Sequence, residues 1–382
     1  MNKYSAIMFL IYRAGITQNG VTMKTKIIKL DKNNFNEDEL KEASDILRKG
    51  GLVAFPTETV YGLGADGLNS EASGKIYAAK GRPSDNPLIL HIAHMGSLKE
   101  LTADCPKAGM KLANAFWPGP LTMIFNKSDR VPYNTTGGLE TVAIRMPSHP
   151  IAYELIRKSG VYIAAPSANI SGRPSPTMAE HVIEDMDGRI EMIVDGGMVD
   201  IGLESTIVDV TGEAPTILRP GYITASMLEA VVGPVNFDKA VLARKGDTGI
   251  IPKAPGMKYK HYAPKGDLTI LEGTTEAVIQ AINKYAAEKT SKGFKVGIIS
   301  TDETLSCYPK GMVKSIGTRK DEDTIARGLF QILREFDDEG AEYIYTESFE
   351  SKQLGQAIMN RLLKAAGYHI IKVHDNGLAT EP

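Results

Sequence analysis

Small polar side chains follow one predicted strand at the point where the strand ends. Residues 165–172 read Ala-Pro-Ser-Ala-Asn-Ile-Ser-Gly, directly after an apolar run that predicts a buried strand over 161–165. Loops at strand ends are where α/β proteins bind ligands. A local Asx- or ST-turn accounts for one or two of these residues, not for all of them. The pattern predicts a binding loop around Ser167 and Asn169.

Cationic residues stand at comparable positions elsewhere in the chain. Arg145 and Arg219 lie at the ends of two further predicted strands, and Ser205 lies at the start of a third. Lys80 and Arg82 close a predicted helix, where the helix dipole favours cations, so a solvated helix end is an alternative to an anion pocket. Guanidinium groups bind carboxylates and phosphates through two parallel hydrogen bonds. The cations and hydroxyls together indicate one shared cleft for an anionic ligand.

Other motifs with known chemistry are weak or absent. Residues 62–67 match GxGxxG, but six residues separate them from the preceding predicted strand, and no acidic residue stands at a strand end about 20 residues further on, as a dinucleotide site requires. No GxxxxGK[ST] motif is present, which excludes a P-loop. His91 and His94 are three apart in or just after a predicted strand, so they face opposite sides and do not share a metal. His91 alone is either a site residue or a core histidine.

Length and composition indicate an ordinary globular protein of two domains. The chain has 382 residues, and domains commonly have about 100–200 residues. A net charge of -2 argues against a protein that coats nucleic acid, because such binding needs a large cationic excess. Two distant cysteines without a CxxC motif argue against a disulfide framework or zinc ribbon and fit a reducing cytosol. We therefore expect a cytoplasmic protein.

The N-terminus carries a short apolar run over residues 6–12. It is far shorter than the roughly 20 residues needed to cross a bilayer. Lys3 precedes the run, but no small-x-small cleavage pattern follows it. Regular structure is predicted to begin near residue 26, so we interpret Met23 as the true start and residues 1–25 as an extension.

The predicted elements divide the rest of the chain into three parts. Over 26–243, strands and amphipathic helices follow one another irregularly, which predicts an α/β domain with a mixed twisted sheet rather than a doubly wound one. Residues 244–266 are rich in glycine and proline and predict a linker. Over 267–382, strands and helices alternate, which predicts a smaller Rossmann-like or flavodoxin-like parallel α/β domain.

Several motifs resemble those of the YrdC-type threonylcarbamoyl-AMP synthases, and they occur in that family's order. They are FPTETVYGLG at 55–64, KGRP at 80–83, NPL at 86–88, WPGPLT at 117–122, RMP at 145–147, PSAN at 166–169, STIVD at 205–209 and LRPG at 218–221. PGMKYKHYAP at 255–264 and GQAIMNRL at 355–362 resemble the longer, two-domain branch of the family. The resemblance covers essentially everything after residue 25.

The resemblance implies an enzyme that makes threonylcarbamoyl-adenylate and pyrophosphate from L-threonine, bicarbonate and ATP. A partner transferase complex would then modify an adenosine of tRNA. Mg²⁺ would be held mainly through the phosphates of ATP, with no protein metal site. Neither membrane association nor stable nucleic-acid binding is expected.

The resemblance also implies roles for individual residues. The predicted threonine-binding residues are Thr59, His91, Thr141, Arg145, Ser167 and Ser205. The predicted ATP-binding residues are Lys80, Arg82, Asn86, Asn169, Thr177, Arg219, His261 and Tyr262. The predicted catalytic residues are Lys80, Arg82, Ser167 and Asn169. Replacing Ser167 and Asn169 together with alanine is expected to cripple activity and leave stability nearly unchanged.

The aromatic and cationic side chains of the linker predict a lid over the cleft, and the alternative is that they only pack the two domains together. Two alternatives to the synthase stay open at this point. One is an RNA-binding module. The other is a carbamoyl-transfer domain that uses carbamoyl phosphate, although the two lone cysteines cannot build the zinc finger that such proteins carry.

Overall fold

The first domain is built on one large mixed sheet. The computed structural model describes residues 23–242, 261–350, 353–374 and 379–380, so the extension before Met23 and most of the predicted linker lie outside the described residues. The strands of the first sheet are β1 Lys26–Lys29, β2 Val53–Phe55, β3 Gly62–Asp66, β4 Ile89–His91, β5 Leu121–Asn126, β6 Thr141–Arg145, β7 Ile163–Ala164, β8 Met192–Asp195, β9 Thr206–Asp209, β10 Thr216–Arg219 and β11 Asn236–Phe237.

The strand order is β1-β8-β2-β3-β7-β4-β6-β5-β9-β10-β11. Parallel and antiparallel pairs occur side by side: β4 is parallel to β6, and β5 is antiparallel to β6. This confirms the predicted mixed sheet. The central strands are buried on both faces, which explains their nearly continuous apolar sequences.

Helices and short 3₁₀ turns cover the first sheet. The helices are α1 Lys41–Arg48, α2 Ser70–Lys80, α3 Leu98–Leu101, α4 Lys107–Phe116, α5 Tyr133–Thr136, α6 Pro150–Ser159, α7 Ala179–Met186, α8 Ala225–Val232 and α9 Lys239–Leu242, and the 3₁₀ turns are Glu37–Leu40 and Met95–Ser97. Asn69 caps α2 through its side chain, and Gly81 ends it with a φ of +62°. These two signals fix the point at which Lys80 and Arg82 leave the helix.

Strand β3 was not predicted, because its sequence Gly-Leu-Gly-Ala-Asp has the composition of a turn. The structure gives the glycines a packing role instead. A Cβ on Gly64 would lie 2.7 Å from both Phe55 and Ile163 on the neighbouring strands. A larger residue would therefore push these strands apart, and the motif has no dinucleotide-binding geometry.

The second domain has a sheet in the order β14-β13-β15-β12-β16-β17. Its strands are β12 Asp267–Glu272, β13 Val296–Ser300, β14 Met312–Ser315, β15 Tyr343–Glu347, β16 Ile370–Val373 and β17 Ala379–Thr380. All neighbours are parallel except β17, which is antiparallel to β16. The helices are α10 Thr275–Ser291, α11 Glu322–Glu339 and α12 Gln353–Ala365, with a 3₁₀ turn at Leu305–Cys307.

The two domains share an apolar core. Phe330 of α11 and Ile358 of α12 belong to one buried cluster with Val60 and Leu203 of the first domain. Helices α11 and α12 therefore lie between the second sheet and the first domain. Among the described residues, no helix is both long enough and apolar enough to cross a membrane.

Candidate active site

A cavity of about 680 Å³, part of it open to solvent, lies where the strand ends of the first domain face the second domain. Eleven of the predicted site residues line it together: Thr59, Lys80, Arg82, His91, Arg145, Ser167, Asn169, Ser205, Arg219, His261 and Tyr262. The predicted convergence of several strand ends on one cleft is therefore present in the structure.

Three predicted site residues do not line the cavity. Thr141 begins β6 and pairs with Asn126, whereas Arg145 ends the same strand; at about 3.3 Å per residue the two are about 13 Å apart. Asn86 is buried next to Arg82, and its carbonyl accepts a hydrogen bond from Arg82. Thr177 is fully buried beside His181. The structure thus places Thr141, Asn86 and Thr177 outside the lining of this cavity, and their ligand contacts stay predictions.

Lys80 holds the binding loop in place. Its Nζ donates to the carbonyl oxygens of Ser167 and Asn169, the latter at 2.5 Å. Burial lowers the pKa of Lys80 well below its usual value. The side chain both lines the cavity and fixes the backbone of the loop opposite, a second role that the sequence did not indicate.

Arg82 and Arg219 are each held by backbone carbonyls. Arg82 donates to the carbonyls of Asn86 and Pro87, with Nη2 3.1 Å from the Pro87 oxygen. Arg219 donates to the carbonyl of Ser205 from Nε at 3.1 Å and from Nη2 at 2.9 Å. Burial lowers the pKa of each arginine to about 10, so both are cationic at neutral pH. Fixed guanidinium groups of this kind are suited to bind phosphate oxygens.

Arg145 already has a carboxylate partner, Glu58, which the sequence analysis missed. Nη2 of Arg145 lies 2.8 Å from Oε1 of Glu58, and Nη1 donates to Oγ1 of Thr59 at 2.9 Å. Both charged side chains are buried. Burial is the largest single effect and opposes ionisation of Glu58, but the charge of Arg145 together with hydrogen bonds to the carboxylate holds the pKa of Glu58 below its usual value. The only signal in the sequence was the acidic residue within the 55–64 motif.

His91 is a neutral histidine with a defined tautomer. Its Nδ1 lies 3.1 Å from the carbonyl oxygen of Ile89 and 3.3 Å from that of Ile163. Carbonyl oxygens only accept hydrogen bonds, so Nδ1 carries the proton and Nε2 is an acceptor. Burial and the charge of Arg145 lower the pKa of His91 to about 3. A donor on a bound ligand would therefore find an uncharged acceptor here.

The binding loop is stabilised by its own side chains. Ser167 Oγ donates to Oδ1 of Asn169 at 2.5 Å. Nδ2 of Asn169 donates to the carbonyls of Ile170 at 2.8 Å and Arg173 at 2.9 Å. The amide group of Asn169 therefore stabilises the loop, a role that the sequence did not indicate.

These bonds change the expected effect of substituting Asn169. We expect Asn169→Ala to lower the free energy of unfolding by about 1–3 kcal/mol, since two part-buried carbonyls lose their donor. Ser167→Ala removes one bond only and should be closer to neutral. Denaturant unfolding of both variants measures the difference. Equal stability of the two would contradict a structural role for the Asn169 amide and restore the expectation that both residues act on the ligand alone.

The end of the linker closes one side of the cavity. Tyr262 is buried, has a φ of +66°, and stacks on Phe330 of α11 with the ring centres 5.1 Å apart. His261 lies beside it, and burial lowers the pKa of His261 to about 3. Ala263 anchors the segment by donating its N–H to the carbonyl of Gly172 in the binding loop. The predicted linker residues 244–260 lie outside the described residues.

Glu204 and Ser175 are further cavity residues that were not predicted as site residues. Oε1 of Glu204 accepts from Ser175 Oγ at 2.5 Å, and Oε2 accepts from Nε of Arg361 at 3.0 Å. Burial opposes ionisation of Glu204, but the charges of Arg361 and Arg219 keep its pKa below the usual value. Within the described ranges, no three His, Cys, Asp or Glu side chains converge to hold a metal ion.

The fold and the cavity define a two-domain α/β protein in which buried cationic side chains line a cavity at the domain boundary. Comparison with known proteins narrows this class. Residues 45–221 match the family model described as "Telomere recombination", and residues 223–367 match the model for the C-terminal domain of threonylcarbamoyl-AMP synthase.

Full-length relatives give the same result. The chain is 49% identical to the threonylcarbamoyl-AMP synthase of Bacillus subtilis over 92% of this chain and 100% of the relative. It is 39% identical to the enzyme of that name from Schizosaccharomyces pombe over 86% and 88% of the two chains. The crystal structure of Pyrococcus abyssi Sua5 complexed with L-threonine matches with a TM-score of 0.86 and 48% identity, covering 92% of this chain and 100% of that one. The chain belongs to the threonylcarbamoyl-AMP synthase family, in its two-domain form.

Proposed function

We propose that the cavity binds L-threonine, bicarbonate and ATP and joins them into threonylcarbamoyl-adenylate with release of pyrophosphate. The observation that carries the proposal is that cationic side chains occupy two places in one cavity. Arg145 pairs across the sheet with His91 and lowers the pKa of that histidine, and the charge of Arg219 lowers the pKa of Arg82. A small amino acid and a nucleotide triphosphate each need such a partner for their anionic groups.

Threonine is assigned to the side of Arg145. The guanidinium would bind the threonine carboxylate, competing with Glu58 for its donors. Nε2 of His91 would accept a hydrogen bond from the threonine hydroxyl or amine, and Thr59 and Ser205 add hydroxyl groups of limited size. A site that hydrogen-bonds the substrate hydroxyl rejects analogues that lack it. The L-threonine complex of the Pyrococcus abyssi protein supports this substrate.

The chemistry then consists of two steps. The uncharged amine of threonine attacks the carbon of bicarbonate, a C–N bond forms, and water leaves to give the carbamate. A carbamate oxygen next attacks the α-phosphorus of ATP, and the bond to the β-phosphate oxygen breaks, so that pyrophosphate leaves. Negative charge builds on phosphate oxygens, where Arg82, Arg219 and Lys80 would stabilise it. Holding three reactants in line supplies a further large share of the rate.

Mg²⁺ would accompany ATP and neutralise the charge of its phosphates. Glu204 is the carboxylate among the cavity-lining residues, and both of its oxygens already accept hydrogen bonds from Ser175 and Arg361. The donor set therefore fits a metal held by phosphate oxygens and water rather than by protein ligands. A transferase complex that modifies tRNA would take the adenylate as its substrate.

The test of the proposed function is threonine-dependent release of pyrophosphate. Purified protein is mixed with ATP, Mg²⁺ and bicarbonate, with and without L-threonine, and pyrophosphate and the adenylate are measured. We expect both products only when threonine is present. Pyrophosphate release that does not depend on threonine would contradict the assignment.

The hypothesis that the linker acts as a lid can be tested at Tyr262, which is among the described residues. Tyr262→Ala removes a buried ring that lines the cavity and stacks on Phe330. Because threonylcarbamoyl-adenylate is a mixed anhydride, water entering the cavity should hydrolyse it. We expect pyrophosphate release to exceed the yield of intact adenylate in this variant, whereas the two are equal in the parent protein.

Tyr262→Phe is the matched control, since it keeps the ring and loses only the hydroxyl. Its two yields should stay equal. If Tyr262→Ala also gives equal yields at unchanged turnover, the segment only packs the domains together.

A further inference from the structure

Arg361 of helix α12 is a buried cation of the second domain. Its hydrogen bonds to the first domain go to residues that line the cavity or stand next to one that does. Arg361 is fully buried, at 0% exposure. Its Nε lies 3.0 Å from Oε2 of Glu204, its Nη1 2.5 Å from the carbonyl oxygen of Pro220, and its Nη2 3.3 Å from the carbonyl oxygen of Glu204. The mechanism above does not use this residue.

These bonds reach three separate segments of the cavity wall. The carbonyl of Glu204 precedes Ser205, and the carbonyl of Pro220 follows Arg219. The Glu204 carboxylate extends the contact to the third segment, because its other oxygen accepts from Ser175. One guanidinium group thus joins the segments at 175, 204–205 and 219–220, and two of these also meet where Arg219 donates to the carbonyl of Ser205.

A guanidinium is suited to this task, and an ammonium is not. Its donors point outward in one plane in a fixed fork, so it can hold a carboxylate and two carbonyls at once. Arg145 and His91, both assigned to threonine, are held by other groups: Arg145 by Glu58 and Thr59, and His91 by Ile89 and Ile163. Of the residues assigned to threonine, Ser205 alone lies in the segments that Arg361 joins. We therefore expect the Arg361 bonds to act mainly on the nucleotide side of the cavity, around Arg219.

We propose that Arg361 is a positioning residue for the synthase reaction, through which the second domain sets the geometry of Arg219 and Glu204 for ATP. The proposal rests on the proposed function for the identity of the nucleotide. It gives the second domain a direct part in the site, beyond supplying a surface against which the first domain packs.

The test compares Arg361→Lys with the parent chain at a temperature well below the unfolding midpoint of both. Lysine keeps the charge beside Glu204 but cannot bond the carbonyls of Glu204 and Pro220 together. We expect KM for ATP to rise about 10- to 100-fold, the scale of a positional error of about 1 Å, with KM for threonine changed less than about threefold. Arg327→Lys is the control, because Arg327 also crosses the domain boundary but bonds the carbonyl of Asp200, outside the cavity wall; it should leave both constants unchanged.

The variant Glu204→Gln, alone and combined with Arg361→Lys, distinguishes positioning from simple domain docking. If Arg361 acts through Glu204, KM for ATP in the double variant should be no higher than in the single variant with the higher KM. The proposal would be overturned if the folded Arg361→Lys variant kept the parental KM values. It would also be overturned if KM rose equally for ATP and for threonine.

Calorimetry with a non-hydrolysable ATP analogue keeps this test independent of turnover. The analogue should bind Arg361→Lys more weakly than the parent chain even if the parent fails to release pyrophosphate with threonine. Absence of threonine-dependent pyrophosphate release in the parent chain would contradict the proposed reaction. Unchanged binding of the analogue to Arg361→Lys would contradict the positioning role.

Discussion

Arg145→Ala is expected to destabilise the protein as strongly as it weakens threonine binding. Arg145 and Glu58 form a buried ion pair with 2.8 Å between Nη2 and Oε1. Removing the arginine leaves the Glu58 carboxylate buried without its cation, and breaking such a pair from one side commonly costs about 3–5 kcal/mol. A loss of activity in this variant alone would therefore say little about the role of Arg145 toward the substrate.

A double variant separates the two effects. In Glu58→Gln/Arg145→Met no charge is left unpaired, and replacing a buried ion pair as a whole is often close to neutral for stability. We expect the free energy of unfolding to recover most of the loss, while threonine affinity stays lower by about 2–5 kcal/mol because its carboxylate has no cation. Binding of an ATP analogue should change much less.

The measurements are denaturant unfolding and separate calorimetric titrations with threonine and with the ATP analogue. Glu58→Gln alone is the matched control: it keeps Arg145, and it should bind threonine at least as well as the parent chain, since it frees guanidinium donors. Normal threonine affinity in the double variant would show that Arg145 serves only to neutralise Glu58.

Most of the fold could be predicted because its strands carry strong local patterns. Strand β6 ends at Arg145, the position at which the sequence predicted the end of a strand. Strand β14 was missed because Met312–Ser315 is half-exposed and contains Lys314, so no apolar run marks it. Strand β3 was missed for the opposite reason: it is almost fully buried, and at position 64 its neighbours leave room only for glycine.

The site could be predicted where the residue type alone indicates the chemistry. It could not be predicted where the role of a residue depends on which side chain or carbonyl it contacts. Clustered cations and hydroxyls at strand ends indicated an anion site, and they do line one cavity. The pairing of Arg145 with Glu58 joins residues 87 positions apart, and that of Arg361 with Glu204 joins residues 157 apart. Lys80 binds two backbone carbonyls, which carry no sequence signal at all. Such roles follow from topology and were visible only in the structure.

The protein is expected to lose stability steeply below pH 6.5. Burial lowers the pKa of His91 and His261 to about 3 and the pKa of His149 and His181 to about 4. A histidine in the unfolded chain has a pKa of about 6.5. Below that pH the unfolded chain binds protons that the folded protein does not, so acid favours unfolding. The stabilisation is complete above pH 6.5 and is lost progressively as the pH falls toward the folded-state values.

The expected loss of stability is large because the four buried histidines act together. Each contributes about 1.4 kcal/mol per pH unit once the pH is below 6.5. At pH 5.5 the sum is on the order of 5 kcal/mol, which is comparable to the whole stability of many domains. The buried carboxylates do not share this window: the pKa values of Glu58 and Glu204 lie below their usual value, so their losses begin only at lower pH.

The measurement is thermal unfolding between pH 7.5 and 5.0 with replacements at single histidines. His149→Gln suits the test, because both ring nitrogens of His149 are buried without a hydrogen-bond partner and the residue does not line the cavity. This variant should unfold with a pH slope reduced by one proton. A midpoint that stays constant from pH 7.5 to 5.5 would show that these histidines take up protons in the folded state, and then His91 could not be the uncharged acceptor that the proposed threonine site requires.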